Sequence, residues 1–170
     1  MKILHHTSVI DGRANSGTAR IAKDVITSLS KIEEIHQFFI HYEDSNDTIY
    51  GLPRTKEIRL RRNKTLKYRF IYFLIYAFKI RLFNTIRPSK KIVFDVSHWH
   101  VFRVYPFFWL IPSKKHIITM HDAGHFLLPH TQTLANKLFM LNIKLNLSKI
   151  YRIIVLSENQ SNSAFIGKRS

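Results

Sequence analysis

The chain has no cysteine, so disulfides and thiolate metal centres are excluded. A reducing setting such as the cytoplasm fits that absence. Glycine and proline are scarce, five of each in 170 residues. No G-x-G-x-x-G run occurs, so a dinucleotide fingerprint is not supported. Acidic residues are few, 11 against 27 basic ones, and no H-E-x-x-H or carboxylate-rich cluster is present. No charge-free apolar run approaches the roughly 20 residues that span a bilayer. The opening Met1-Lys2-Ile3-Leu4 is too short an apolar start for a signal peptide, since His5-His6 follow at once.

What remains is a chain with 45% hydrophobic and 13% aromatic residues, enough for one domain with a sizeable core over 1–170. Its net charge of +16 is uneven. Residues 1–50 hold 5 basic and 7 acidic side chains, residues 51–100 hold 13 and 2, and residues 101–170 hold 9 and 2. The positive field therefore begins near Arg54. A localised basic excess implies an anionic partner: nucleic acid, anionic lipid headgroups or a phosphorylated substrate.

Apolar periodicity alternates between two kinds of segment. Strands are expected over Lys2–Val9, Gln37–His41, Lys56–Leu60, Lys91–Val96, His116–Met120 and Tyr151–Leu156. Helices are expected over Ala19–Lys31, with Ile21, Ala22, Val25, Ile26 and Leu29 on one stripe, and over 131–146, with Leu134, Leu138, Leu141 and Leu145 on one stripe. A short helix is expected within Val101–Pro112. Ser157 is a plausible N-cap just beyond the last strand. Strands alternating with helices predict a doubly wound, mainly parallel, Rossmann-like α/β sheet with helices on both faces.

Residues 65–83, TLKYRFIYFLIYAFKIRLF, are unusual. Phe70–Phe78 carries no charge, and Lys67, Arg69, Lys79 and Arg81 flank it without forming one polar face. An all-round apolar helix reads as core. Tyr68, Tyr72 and Tyr76 with the flanking bases read equally as a membrane–water interface. Both readings stay open.

Three stretches could carry chemistry. The loop Asp11–Thr18 joins the first strand to the first helix, where backbone N–H groups can meet an anion. Phe94–His100, FDVSHWH, delivers histidines at the end of a strand. Lys115–Pro129, KHIITMHDAGHFLLP, runs from a buried-type strand into His121-Asp122 and a turn through Gly124. In an open parallel sheet, strand carboxyl ends form the ligand edge, and imidazole and carboxylate there can act as hydrogen-bonding or acid/base groups. His98, His100, His121 and His125 raise the question of zinc. With no companion motif, no metal is assigned to them.

In order and spacing, these stretches resemble the N-terminal domain of GT-B fold glycosyltransferases, specifically the retaining family 4. The opening MKILHHTSVIDGRANSGTARIAKDVITSLSK resembles that family's first strand, loop and helix. FDVSHWH resembles its Asp-x-x-His-x-His strand end, IITMHDAGHFLLP its Thr-x-His-Asp segment, and YRIIVLSENQS its strand before the linker. The resemblance implies an acceptor-side domain of an enzyme moving sugar from a nucleotide-sugar to a lipid-linked or cell-surface glycan. His121 and Asp122 would be catalytic, His121 at the transferred sugar and Asp122 holding the segment. Gly17 with Ser16 and Thr18 would lie near the donor phosphates; His98 and His100 would line the acceptor side, with Gly124 in the adjoining turn. One departure is Ser16 before Gly17, where the family often has two glycines. The family's Glu-x7-Glu donor domain is also absent from these residues. The expectation is therefore a chain without resident cofactor, needing a donor domain or a partner chain, cytoplasmic and peripheral on the inner membrane face. Nucleic acid is the less favoured partner, since the basic run Arg59–Lys64 lacks a recognisable binding module.

Overall fold

A computed structural model describes residues 1–7, 17–42, 57–60, 66–86, 92–121 and 133–156. Six strands form one sheet: β1 (Lys2–His6), β2 (His36–Tyr42), β3 (Glu57–Leu60), β4 (Phe94–Trp99), β5 (Ser113–Met120) and β6 (Arg152–Val155). Their order is β3-β2-β1-β4-β5-β6, and every neighbouring pair is parallel. This is the Rossmann-like α/β arrangement expected from the alternation of elements. The strand order reverses between β1 and β4, which makes their carboxyl ends a topological switch point.

Lateral pairing sorts the side chains onto two faces. His5 pairs with Phe39 and His98, and His98 with Ile117, so these share one face. His6 pairs with Ile40 and Trp99, and Trp99 with Ile118, so these share the other.

The second face carries the main core. Helix α2 (Leu66–Ile86) places Phe73 and Ala77 there, against Leu4, Ile40, Trp99 and Tyr105. Helix α3 (Leu134–Leu145) adds Met140 and Ile143. Thr133 caps α3, its hydroxyl accepting from the Asn136 N–H at 3.3 Å, and satisfies one otherwise orphaned donor. The expected short helix in 101–112 is a single 3-10 turn, Phe108–Leu110, whose Phe108 is fully buried edge-on to His116 at 5.0 Å.

Helix α1 (Gly17–Ser30) covers the first face. Its Ile26 carbonyl accepts from Gln37 Nε2 at 3.2 Å, and Ala19 and Ala22 pack with Val101. Ile26 and Ala22 are buried as the periodicity predicts, while Ile21, Val25 and Leu29 are only half-buried.

Two expectations are revised. Strand β4 runs over 94–99 rather than 91–96, so His98 lies inside the strand and only His100 beyond it. The buried polar residue Ser97 explains the shift, because its hydroxyl meets His6 Nε2 at 2.7 Å and needs no solvent. The leucine stripe of α3 is also not its buried face. Leu134, Leu138, Leu141 and Leu145 are 74%, 57%, 50% and 72% exposed.

Within the segment 65–83 the core reading holds in part. Phe73 and Ala77 are core, while Ile71, Ile75, Phe78 and Leu82, spaced four, three and four residues apart, face outward. Among the described residues no helix is long and apolar enough to cross a membrane.

Candidate functional site

The switch point is lined with imidazoles. His5 ends β1 on the α1 side, with His98 directly beside it in β4. His100, two residues on, returns to the same face, and its Nε2 lies 3.0 Å from His5 Nδ1. The His98 and His100 rings stand 4.1 Å apart, and those of His5 and His100 stack at 5.2 Å. All three are buried. Thr119 of β5 holds His98, with its hydroxyl 2.8 Å from Nε2. His121 follows β5, and its Nε2 donates to the His100 carbonyl at 2.6 Å. Phe39 stacks on His5 at 5.4 Å.

Burial sets the protonation of this cluster. It pushes His5 down to about 3, aided by the nearby His98 and opposed by Gln37. It pushes His98 down to about 4, with His121 adding to the effect. His100 falls well below the ordinary histidine value, first through burial and then through the surrounding imidazoles. The rings are therefore neutral at pH 7. Each offers one N–H and one lone pair, which suits them to hydroxyl recognition and to metal ligation.

Of the residues singled out from sequence, the structure brings His98, His100 and His121 together. Gly17 and Thr18 are the first two residues of α1 rather than loop residues. Among the described residues, a side chain at Gly17 would meet no atom within 4 Å. Asp122, Ser16, Gly124 and His125 lie outside the described residues, as does Ser157. The aspartate of FDVSHWH, Asp95, lies at the opposite end of β4. Its Oδ2 accepts from the Lys2 backbone N–H at 2.8 Å, and its Oδ1 pairs with Lys114 at 2.7 Å. The Lys114 hydrogen bond, then the Lys2 N–H, hold its carboxyl below the usual range. Asp95 thus ties strands together at the amino edge.

Sequence reasoning missed His5. A signal was present, since β1, β4 and β5 all deliver histidine at their carboxyl ends. The neighbouring His6 and His116 belong to the other face. His6 stacks on Trp99 at 3.6 Å between centroids, and burial holds it well below the ordinary value. Burial likewise pushes His116 down to about 4.

No family model matches the sequence, and no curated protein matches it. The Rossmann-like fold and the imidazole-lined switch point therefore define the class of this domain.

Proposed function

We propose that this chain is the acceptor-side domain of a two-domain glycosyltransferase, with the nucleotide-sugar bound mainly by a second domain on the same or another polypeptide. The observation that carries the reading is the switch point itself. Neutral His98 and His100, with His121 at its rim, sit at the carboxyl ends of β4 and β5 of a sheet ordered 3-2-1-4-5-6. Neutral imidazoles hydrogen-bond sugar hydroxyls as donor and acceptor without the desolvation cost of a charge. The start of α1, where a Gly17 side chain would meet none of the described residues, offers N–H groups to a phosphate of the donor. In this reading His121 acts on the transferred sugar, with Asp122 following it on the same segment.

The test is reconstitution with a donor domain. The isolated chain should transfer no sugar from UDP-, GDP- or CMP-sugars. In the completed enzyme, His121→Ala should lower kcat/KM by on the order of 10²-fold, about 2.7 kcal/mol at the transition state. His36→Ala, exposed at the start of β2, should change little. Full activity in His121→Ala at unchanged thermal stability would remove the site assignment, and turnover by the isolated chain would remove the two-domain reading.

We further infer that the acceptor is met at an anionic membrane surface. Helices α2 and α3 cover the same face of the sheet, so their outward stripes, Ile71–Leu82 and Leu134–Leu145, look to the same side. Exposed Lys79, Arg81, Lys137 and Lys144 accompany them. Apolar stripes bordered by bases match a surface of anionic headgroups over acyl chains. Salt-sensitive co-sedimentation with anionic but not neutral vesicles is the expected result. Tighter binding to random RNA than to such vesicles at matched salt would favour a nucleic-acid partner instead.

A further inference from the structure

We propose that His5, His98 and His100 form a three-imidazole site for one divalent transition-metal ion of the zinc class. One nitrogen from each ring lies within 4.8 Å of the others. Two nitrogens on one tetrahedral zinc stand about 3.3 Å apart, from Zn–N bonds of about 2.0–2.1 Å. His5 Nδ1 and His100 Nε2 are already 3.0 Å apart, close to that separation. Three histidines without thiolate are a recurrent zinc set, which leaves a fourth position for water or a ligand.

A second observation points the same way. His5 Nε2 and Gln37 Oε1 are both buried without a hydrogen-bond partner. Such orphaned atoms are uncommon and costly. Gln37 lies close enough to His5 to raise its basicity, yet the two are not in hydrogen-bonding geometry. Without metal, His5 Nδ1 and His100 Nε2 share one proton between them. A metal ion needs both lone pairs, so that proton must leave the pair. If it leaves from His5 Nδ1, the neutral ring carries its proton on Nε2 instead, on the nitrogen beside Gln37. An Nε2–H donating to Oε1 would satisfy both orphans and supply the outer-shell partner that orients a ligating histidine. Thr119 holds His98 in the same manner, and His121 anchors the His100 backbone. On that route the metal-bound form completes this polar cluster. The inference rests on ring geometry and stands whether or not the domain belongs to a glycosyltransferase.

The test uses tag-free full-length chain stripped with chelator and titrated with Co²⁺, then displaced by Zn²⁺. Calorimetry should give one equivalent, and the Co²⁺ spectrum should report a low-coordinate nitrogen environment. His5→Phe and His100→Phe should each lower affinity by on the order of 10²-fold or more, and Gln37→Met by about 10-fold, as loss of an outer-shell partner does. His36→Ala should leave binding unchanged. If a phenylalanine variant does not fold, ring ¹⁵N shifts of the wild-type protein decide: Zn²⁺ should move His5, His98 and His100 and leave His36 and His116 in place. Absence of stoichiometric binding in the wild type, or binding that persists in folded His5→Phe and His100→Phe, would overturn the proposal.

Discussion

The two faces of the sheet bury the neighbouring histidines His5 and His6 on different terms, although His116 Nδ1 on the α2 side is also buried without a partner. On the α2 and α3 side, His6 lies flat on Trp99, with 6° between the rings, and its Nε2 meets Ser97. It is a packing element inside an aromatic cluster with Phe73 and Tyr105. On the α1 side, His5, His98 and His100 touch mainly one another, Thr119 and Phe39. One of their nitrogens finds no partner. Residues adjacent in sequence, His5 and His6, therefore hold different positions: one completes a core, and the other leaves polar capacity unused. A buried polar group with unused capacity marks a site more reliably than a satisfied one.

The largest expected effect acts on both faces at once. A histidine held below its ordinary value when folded binds its proton only in the unfolded state as pH falls. The unfolded chain then carries more protons, so stability is lost on acidification. The window opens near the ordinary value of 6.5 and extends to about 4 for His98 and His116 and about 3 for His5. At pH 5 each such ring costs up to about 2 kcal/mol. Urea midpoints should therefore fall steeply between pH 6.5 and 4.5 and change little between 7 and 8. A flat profile from pH 7 to 5 would show that the histidines are not buried neutral.

Single substitutions separate the faces. His6→Ala opens a cavity beneath Trp99 and Phe73 and should cost about 3 kcal/mol. His5→Leu removes an orphaned nitrogen while depriving His100 of its partner, and these opposing terms should leave it within about 1 kcal/mol of wild type. Chemical denaturation at pH 7.5 checks both. Equal losses at the two positions would mean that the α1 face is packed as tightly as the other.

Much of this arrangement is legible in the sequence. The apolar runs at 38–40, 117–118 and 153–155 mark strands β2, β5 and β6, and the alternation with helices gives the parallel sheet. The carboxyl-edge histidines of β4 and β5 are legible for the same reason. The cluster as a unit is not, because His5 meets His100 across 95 positions of sequence, through strands that are neighbours only in the fold. Ser97 and His98 read as a polar strand end because pairing with His6 and Thr119 is invisible in one dimension. Periodicity identifies α3 but not its orientation, since Met140 and Ile143 compete with four leucines for the core and win it.

The smallest expected effect on stability falls on that outward stripe. Leu138 and Leu141 are half or more exposed, so Leu138→Gln/Leu141→Gln removes little buried area and should stay within about 0.5 kcal/mol of wild type. Glutamine is chosen over glutamate so that no charge is added. Met140→Ala, one residue from Leu141 but buried, should cost about 2 kcal/mol or more. Vesicle binding should rank these variants the other way. The double glutamine variant should lose most of its affinity for anionic vesicles, and folded Met140→Ala should keep it. Lys137→Gln or Lys144→Gln should each lose about 1 kcal/mol of binding at low salt, and less as salt screens the charge. Salt-insensitive binding, or unchanged binding by the double variant, would remove the membrane from this face. A large stability loss in the double variant would instead show that the leucines are covered by another part of the protein.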